Sequence, residues 1–465
     1  MSGPAAQDVP LTAAVADFVV GADPGSLPEA ALDLAERALV DTVGVTLAAA
    51  GDPTLVALWA ATGRRLPDGP CEVLTHGRST QPVDAALHNG TAAHALDYDD
   101  VLDDLIGHPS AVLVPAALAA AQEAGAGGRA LLDAYCVGYQ VECALAAGMS
   151  IDRHYAQGWH STATLGVLAS AAVTARLLRL GRREVRHALG IAGSLAGGSR
   201  RNFGTMTKPL HAGLAASDGV FAGLLAADGF TADAELLEAP LGYLALYGQE
   251  PRPGAAQTVL DGEWLPGRLG LNVKRFPCCY YAHRAAGAAL ALVEDGLAAS
   301  DVDKVVVSVH PDGLGPLIHH TPTTGLQGKF SLEYVVAACL LDGGLTLDSF
   351  TDEAVNRPEA QRLLSAVAVE ERPDPPVGPP EWQGAYAVVA AQGRRGAVAR
   401  RADVPPGHAT TPLREEELEA KFRDCVAHAG VVRDHDGLYR RLRSARHEES
   451  VGSLLGTALA SGVST

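Results

Sequence analysis

Lysine is scarce in this 465-residue chain: five (Lys208, Lys274, Lys304, Lys329 and Lys421) stand among 36 basic residues, so arginine supplies almost every generic positive charge. Lysine is the compact, titratable cation of the two, and its rarity singles these five out as candidates for chemistry. Basic runs are also absent. The 36 basic against 54 acidic residues give a formal charge of −18, a field that repels polyanions, so nucleic acid is not an expected partner. The longest uncharged apolar stretch, residues 160–175, is too short to span a bilayer and is rich in Ala, Ser and Thr. MSGPAAQDVP at the N-terminus has neither a basic n-region nor an apolar h-region, so the expectation is a cytoplasmic protein without a membrane span. The seven cysteines are odd in number and suit reduced thiols better than a disulfide framework. Glycine (51) and proline (28) follow no period, and 48% hydrophobic with 19% charged residues are globular values. The length allows two large domains or about three smaller ones.

What is present is chiefly helical. From about residue 8 to 230 the apolar positions recur at spacings of three and four, punctuated by Gly and Pro. One such helix is predicted over 27–49 behind Ser26, with a stripe through Leu32, Ala35, Leu39, Val43 and Leu47. In that region only CEVLTHG (71–77) reads as a strand. Val305, Val307 and Val309 then alternate with Val306, Ser308 and His310, and further strand patterns fall at 366–370, 386–391 and 397–402. A Pro-rich connector, RPDPPVGPPEW, separates the first two of these, and helical pattern returns from Arg414 to the end. The expected fold class is mostly α with a smaller α+β domain: a large helical domain over 1–270, the α+β domain over 271–405, and helices over 406–465 that return to the first domain. GAGGR (125–129) and GGSRRNFG (197–204) match neither nucleotide-binding glycine fingerprint.

Four segments place a titratable or nucleophilic side chain at a predicted helix start: His108, His160, Lys208, and Cys278 with Cys279. Unpaired N–H groups and the positive dipole end favour anions there, so a Lys or His breaks the local rule, and such breaks mark functional sites. Pro209 is expected to push Lys208 into extended backbone that ends the preceding loop. In HNGTAAHALDYDD, His94 and Asp97 fall three apart on one predicted helix face, with Asp97, Asp99 and Asp100 at its C-terminal end, where carboxylates need partners. Asp97, Asp99, Asp103 and Asp104 with His94 or His108 offer metal ligands, but their spacing matches no defined loop, and no metal is expected. Two readings remain, an acidic helix terminus solvated in water and Asp97 as a partner of His108 or His160 in acid–base chemistry. Cys278 and Cys279 lack the second pair of a zinc site and read as packed thiols. Arg200 and Arg201 could clamp a carboxylate, and Lys329, before a helix signalled by Ser331, is a further candidate for carboxylate binding.

Taken in order, HNGTAAHALDYDD, GHPS, GWHSTATLG, NFGTMTKPLHAG, NVKRFPCCYYAH and GKFSLEY resemble the MmgE/PrpD family of 2-methylcitrate dehydratase, cis-aconitate decarboxylase and iminodisuccinate epimerase, over about 35–345. The resemblance implies a helical domain, an α+β lid domain, a homodimer and a cleft site for small polycarboxylates, with no obligatory cofactor. It places the family's active-site aspartate on Asp97, its histidines on His108 and His160 and its lysine on Lys208. The further substrate-binding candidates are Arg200, Arg201, Lys274, Cys279 and Lys329. The decarboxylase branch carries a histidine where this chain has Cys279 and a threonine where it has Val101, and both departures count against decarboxylation. The leading expectation is a dehydratase-type lyase that removes a proton α to a carboxylate; the alternatives are an epimerase or isomerase, a decarboxylase and a non-catalytic binding protein.

Overall fold

The computed structural model describes residues 10–379, 384–394, 396–430 and 432–455. Most of the expected MSGPAAQDVP segment, part of the Pro-rich connector and the end of the C-terminal helical stretch lie outside them. The architecture is mostly helical with one small mixed sheet. One hydrophobic core draws on residues 11–273 and again on 413–455, and a second on 276–391 together with Phe203.

Alanine and glycine let the helices of the first core approach closely. The Pro82–Ala95 and Thr207–Ala227 helices touch backbone to backbone, since a Cβ on Gly213 would fall 2.1 Å from Thr91 Oγ1 and 2.5 Å from the Leu87 carbonyl oxygen. Gly90 faces Gly213 at the same crossing. This contact brings the end of the first helix to the start of the second, and so Asp97 to Lys208. Thr207–Ala227 is long and apolar enough to cross a membrane by length and composition alone, yet it packs against Pro82–Ala95 and Ser161–Leu177 inside the fold. The predicted 27–49 helix runs over Glu29–Ala48, with Pro28 as its N-cap and Ser26 in the turn before. Against it lies the Glu415–Ala429 helix, with the Phe422 ring seated on Gly44. Arg446 binds Glu36 and Glu29 and Arg443 binds Asp33, which ties the C-terminal segment to this helix.

In the second core the strand order is Val367–Glu371, Val302–Val309, Ala387–Gly393, Gly396–Ala402. The first pair is parallel and the other two are antiparallel. A parallel pair needs a crossover, supplied by helices that include Leu332–Asp342 and Pro358–Ala366. Val302, Val305, Val307 and Val309 point into this core. The CEVLTHG segment forms only a short ribbon, Cys71–Val73 against Arg78–Thr80.

Candidate active site

Four of the five lysines are buried, and all four converge on the four residues that follow the Pro82–Ala95 helix or close it, positions 95–98. Lys329 Nζ donates to the Leu96 carbonyl at 2.9 Å and approaches that of Ala95 at 3.5 Å, placing a cation at a helix C-terminus where the dipole favours it. Lys274 Nζ donates to the Asp97 carbonyl at 2.8 Å and to Asp97 Oδ1 at 2.5 Å. Lys208 Nζ stands 3.2 Å from the same oxygen, off the line of a hydrogen bond. Lys421 donates to the Tyr98 carbonyl at 2.8 Å and pairs with buried Asp41 at 2.7 Å.

Asp97 is not on the helix face expected for it. The helix ends at Ala95, and Asp97 takes a left-handed φ of 52°, a region in which Asp is among the more frequent non-glycine residues. Lys274 bonds its carbonyl and its carboxylate in this turn. Burial opposes charge on Asp97, but Lys208 and Lys274 outweigh it and hold the carboxyl well below its ordinary range. Asp99 is buried as well, yet His94 and His108 hold it low: His94 Nδ1 lies 2.8 Å from Oδ2 and His108 Nδ1 3.0 Å from it, the latter off hydrogen-bond alignment. His108 Nε2 is 4.0 Å from Asp97 Oδ1, so its nearer carboxylate is Asp99, not Asp97. Burial holds these imidazoles neutral, taking His108 down to about 3 and lowering His94 and, further, His160.

His160 is the N-cap of the Ser161–Leu177 helix, and the Ser161 hydroxyl donates to the Ile106 carbonyl. The Nδ1 of His160 meets His211 Nδ1 at 3.2 Å, and its buried Nε2 has no hydrogen-bond partner. Lys208 lies in the first turn of its helix, which begins at Thr207, and its N–H bonds the Thr205 carbonyl; the extended backbone expected before Pro209 is not adopted, because a first-turn proline forfeits no helical hydrogen bond. The ammonium sits between the rings of Phe203 and Phe330, 5.3 and 5.1 Å from their centres.

A cavity of about 310 Å³ opens over this cluster. Asp97, His108, His160 and Lys208 line one side, and Cys279, Tyr280, Arg284 and His310, from the second core's side of the chain, line the other. The other candidates fall elsewhere. Lys274 and Lys329 lie behind the wall, bonded to the 95–97 segment, and do not line the cavity. Arg200 donates to the carbonyls of Tyr155 and Gly315 and stacks on the Tyr155 ring, while Arg201 is exposed. Cys278 is core, and Cys279 faces the cavity with its thiol pushed up to about 11 by burial and by Asp97. Tyr280, Arg284 and His310 were not singled out by the sequence, although the four-residue spacing of Tyr280 and Arg284 in CCYYAHR is a helical pairing that could have flagged them.

His94, Asp97, Asp99 and His108 each bring one ligand atom within 4.8 Å of the others. Asp97 Oδ1 is already shared by two ammonium groups, so a cation here would have to displace a lysine from it.

The chain matches the MmgE/PrpD N-terminal domain over residues 13–255 and the MmgE/PrpD C-terminal domain over 276–436. It is 30% identical to the cis-aconitate decarboxylase of Homo sapiens over 426 residues, covering 89% of this chain and 87% of the relative. It is 32% identical to that of Mus musculus over 355 residues, covering 74% and 71%. To the 2-methylcitrate dehydratase of Cupriavidus necator it is 26% identical over 377 residues, covering 74% of each.

Proposed function

As the chain belongs to the MmgE/PrpD family, and so is a lyase-type enzyme acting on small carboxylic acids, we propose that it is a cofactor-independent dehydratase of a small hydroxy di- or tricarboxylate. The observation that carries this reading is the presence, on one wall of the cavity, of an unpartnered neutral imidazole nitrogen, His160 Nε2, beside a lysine ammonium held by Asp97. The base removes the proton α to a carboxylate while Lys208 stabilises the enediolate that develops. The Cα–H electrons form the C=C bond, the β C–O bond breaks, and the hydroxyl leaves as water with a proton from His108. That imidazole is neutral in the empty site; a bound polycarboxylate beside Asp99 favours its charged form.

A second reading is decarboxylation, favoured by the names of the human and mouse relatives. Against it stands the composition of the wall: Val101 and Cys279, the two positions where the decarboxylase branch carries threonine and histidine, both line the cavity, as an apolar group and a protonated thiol. Incubating the enzyme with citrate-like and malate-like acids separates the two. Alkene absorbance without CO₂ release, lowered about a hundredfold or more by His160→Gln, is expected of a dehydratase. CO₂ release from an unsaturated tricarboxylate would establish the decarboxylase instead, and solvent deuterium in recovered substrate without elimination an epimerase.

We further propose a cytoplasmic homodimer. Leu214 and Phe221, seven residues apart on the Thr207–Ala227 helix, and Phe230, Leu241 and Leu246 are exposed apolar groups that a second copy would cover. Light scattering at micromolar concentration is expected to give twice the 47.9 kDa chain mass; a monomer mass removes the proposal.

A further inference from the structure

On the cavity side opposite Asp97 and Lys208, one cation has no carboxylate partner and one buried hydroxyl has no hydrogen bond among the described residues, whereas Lys208 is paired with Asp97. Tyr280 is 6% exposed, yet its buried hydroxyl makes no hydrogen bond among the described residues. A buried hydroxyl without a partner is costly and calls for an acceptor that binds there. Arg284, one helical turn on, donates through Nε to the Asp403 carbonyl at 2.8 Å. That bond fixes the guanidinium plane, and no carboxylate among the described residues lies within ion-pair distance of its remaining N–H groups. His310 is held through Nδ1 by the Tyr386 carbonyl at 3.3 Å, close enough to Arg284 to feel its charge. Of the other carboxylates that line the cavity, Asp103 pairs with His408 at 3.4 Å and is mostly exposed, and Asp152 is exposed.

We propose that Tyr280 and Arg284 form a second carboxylate site, so that the substrate is gripped at both ends: one carboxylate at Lys208, the other on the guanidinium fork with the Tyr280 hydroxyl as an added donor. A planar fork with fixed Nε suits a carboxylate better than a point charge does. Since Tyr280 and Arg284 stand just before and within the His283–Glu294 helix of the second core, a ligand bound this way links the two cores. The class of ligand selected is a small acid with two carboxylates separated by a short carbon chain. The inference rests on the dehydratase reading only for which end of the substrate reacts.

Calorimetric titration with glutarate and butyrate, acids of similar reach bearing two carboxylates and one, tests it directly. The wild-type protein is expected to bind glutarate at least about thirtyfold more tightly than butyrate. Arg284→Ala should remove most of that preference, Arg284→Lys should restore only part of it, and Tyr280→Phe, which deletes one hydroxyl without disturbing packing, should reduce it a few-fold. Lys208→Ala, which removes the other grip, should lower the same preference. Equal binding of the two acids by the wild type, or an unchanged ratio in a folded Arg284→Ala or Tyr280→Phe, overturns the proposal. Because binding is read without turnover, absence of alkene product refutes the dehydratase and leaves the second site standing, whereas loss of the ratio refutes the second site alone.

Discussion

On the helical wall of the cavity Asp97 lies within 3.2 Å of Lys208 and 2.5 Å of Lys274, whereas on the opposite wall Arg284 meets a backbone carbonyl and no carboxylate among the described residues. One wall is assembled from matched charges and keeps its geometry without a ligand. The other leaves a cation and a buried hydroxyl unmatched and is completed by what binds. Reaction chemistry needs the first arrangement, since a base and an electrophile must already be in place. Recognition is served by the second, because an unpaired donor discriminates against ligands that lack its acceptor.

The largest effect on turnover should come from breaking the matched wall at its one lysine that faces the cavity. Lys208→Ala is expected to lower kcat/KM on the order of a thousandfold with little change in melting temperature, since Lys274 still neutralises Asp97. Lys208→Arg should not restore activity, because the slot between Phe203 and Phe330 fits a point charge, not a planar fork. Near-normal turnover of either variant would remove Lys208 from the mechanism.

Lys421 supports the same wall from behind without lining the cavity. Lys421→Met would leave the Asp41 carboxylate buried and unpaired and orphan the Tyr98 carbonyl, at a cost of about 3–5 kcal/mol of stability. Denaturant unfolding measures this. A loss below about 1 kcal/mol would mean that Asp41 is already protonated in the native protein, in keeping with burial raising its pKa.

These lysines also show how far the sequence can be read. Their scarcity pointed to them correctly, and the ordered motifs brought out Asp97, His108, His160 and Lys208, all of which line the cavity. What the sequence could not separate was chemistry from scaffolding. Lys274 and Lys329 read as substrate ligands, but their targets are the carbonyls and carboxylate at 95–97, and which acceptor a lysine reaches is set by tertiary packing across more than 170 residues. Strand alternation from Val305 to Val309 was legible because Val305, Val307 and Val309 are buried on one face. The left-handed turn at Asp97 was not, because no local signal such as Asn-Gly marks it and the Lys274 that bonds its carbonyl lies 177 residues away.

The buried titratable groups pull stability in opposite directions, and pH should reveal it. Burial lowers His108 and His283 to about 3 and His88 and His211 to about 4, so between these values and about 6.5 the unfolded chain binds protons that the native protein refuses. Stability therefore rises with pH over that window. Asp100 and Glu142 are raised by burial to about 8, so the native protein holds protons that the unfolded chain has released above its ordinary carboxyl pKa, and their contribution falls as pH rises to about 8. Four imidazoles outweigh two acids below about 6.5, and only the acids act above it. Thermal melts should accordingly peak near pH 6.5, and a melting temperature that climbs steadily to pH 8 would show Asp100 and Glu142 ionised in the native state.

The smallest effect is expected at Cys279, which faces the cavity between the two walls. Its thiol titrates at about 11, chiefly through burial and then through Asp97, against the opposing pull of Lys274. At pH 7.5 the thiolate is then roughly one part in three thousand, too little for a nucleophile or a base. Iodoacetamide should leave activity nearly unchanged over minutes, and Cys279→Ser should retain turnover within a few-fold. Intact-mass spectrometry of the treated enzyme, read beside residual activity, decides the matter. Rapid single alkylation that tracks inactivation would place a reactive thiolate in the cavity, which would demand a cation closer to Cys279 than Lys274 or Lys208 and would shift the electrophilic centre of the site toward the Arg284 wall.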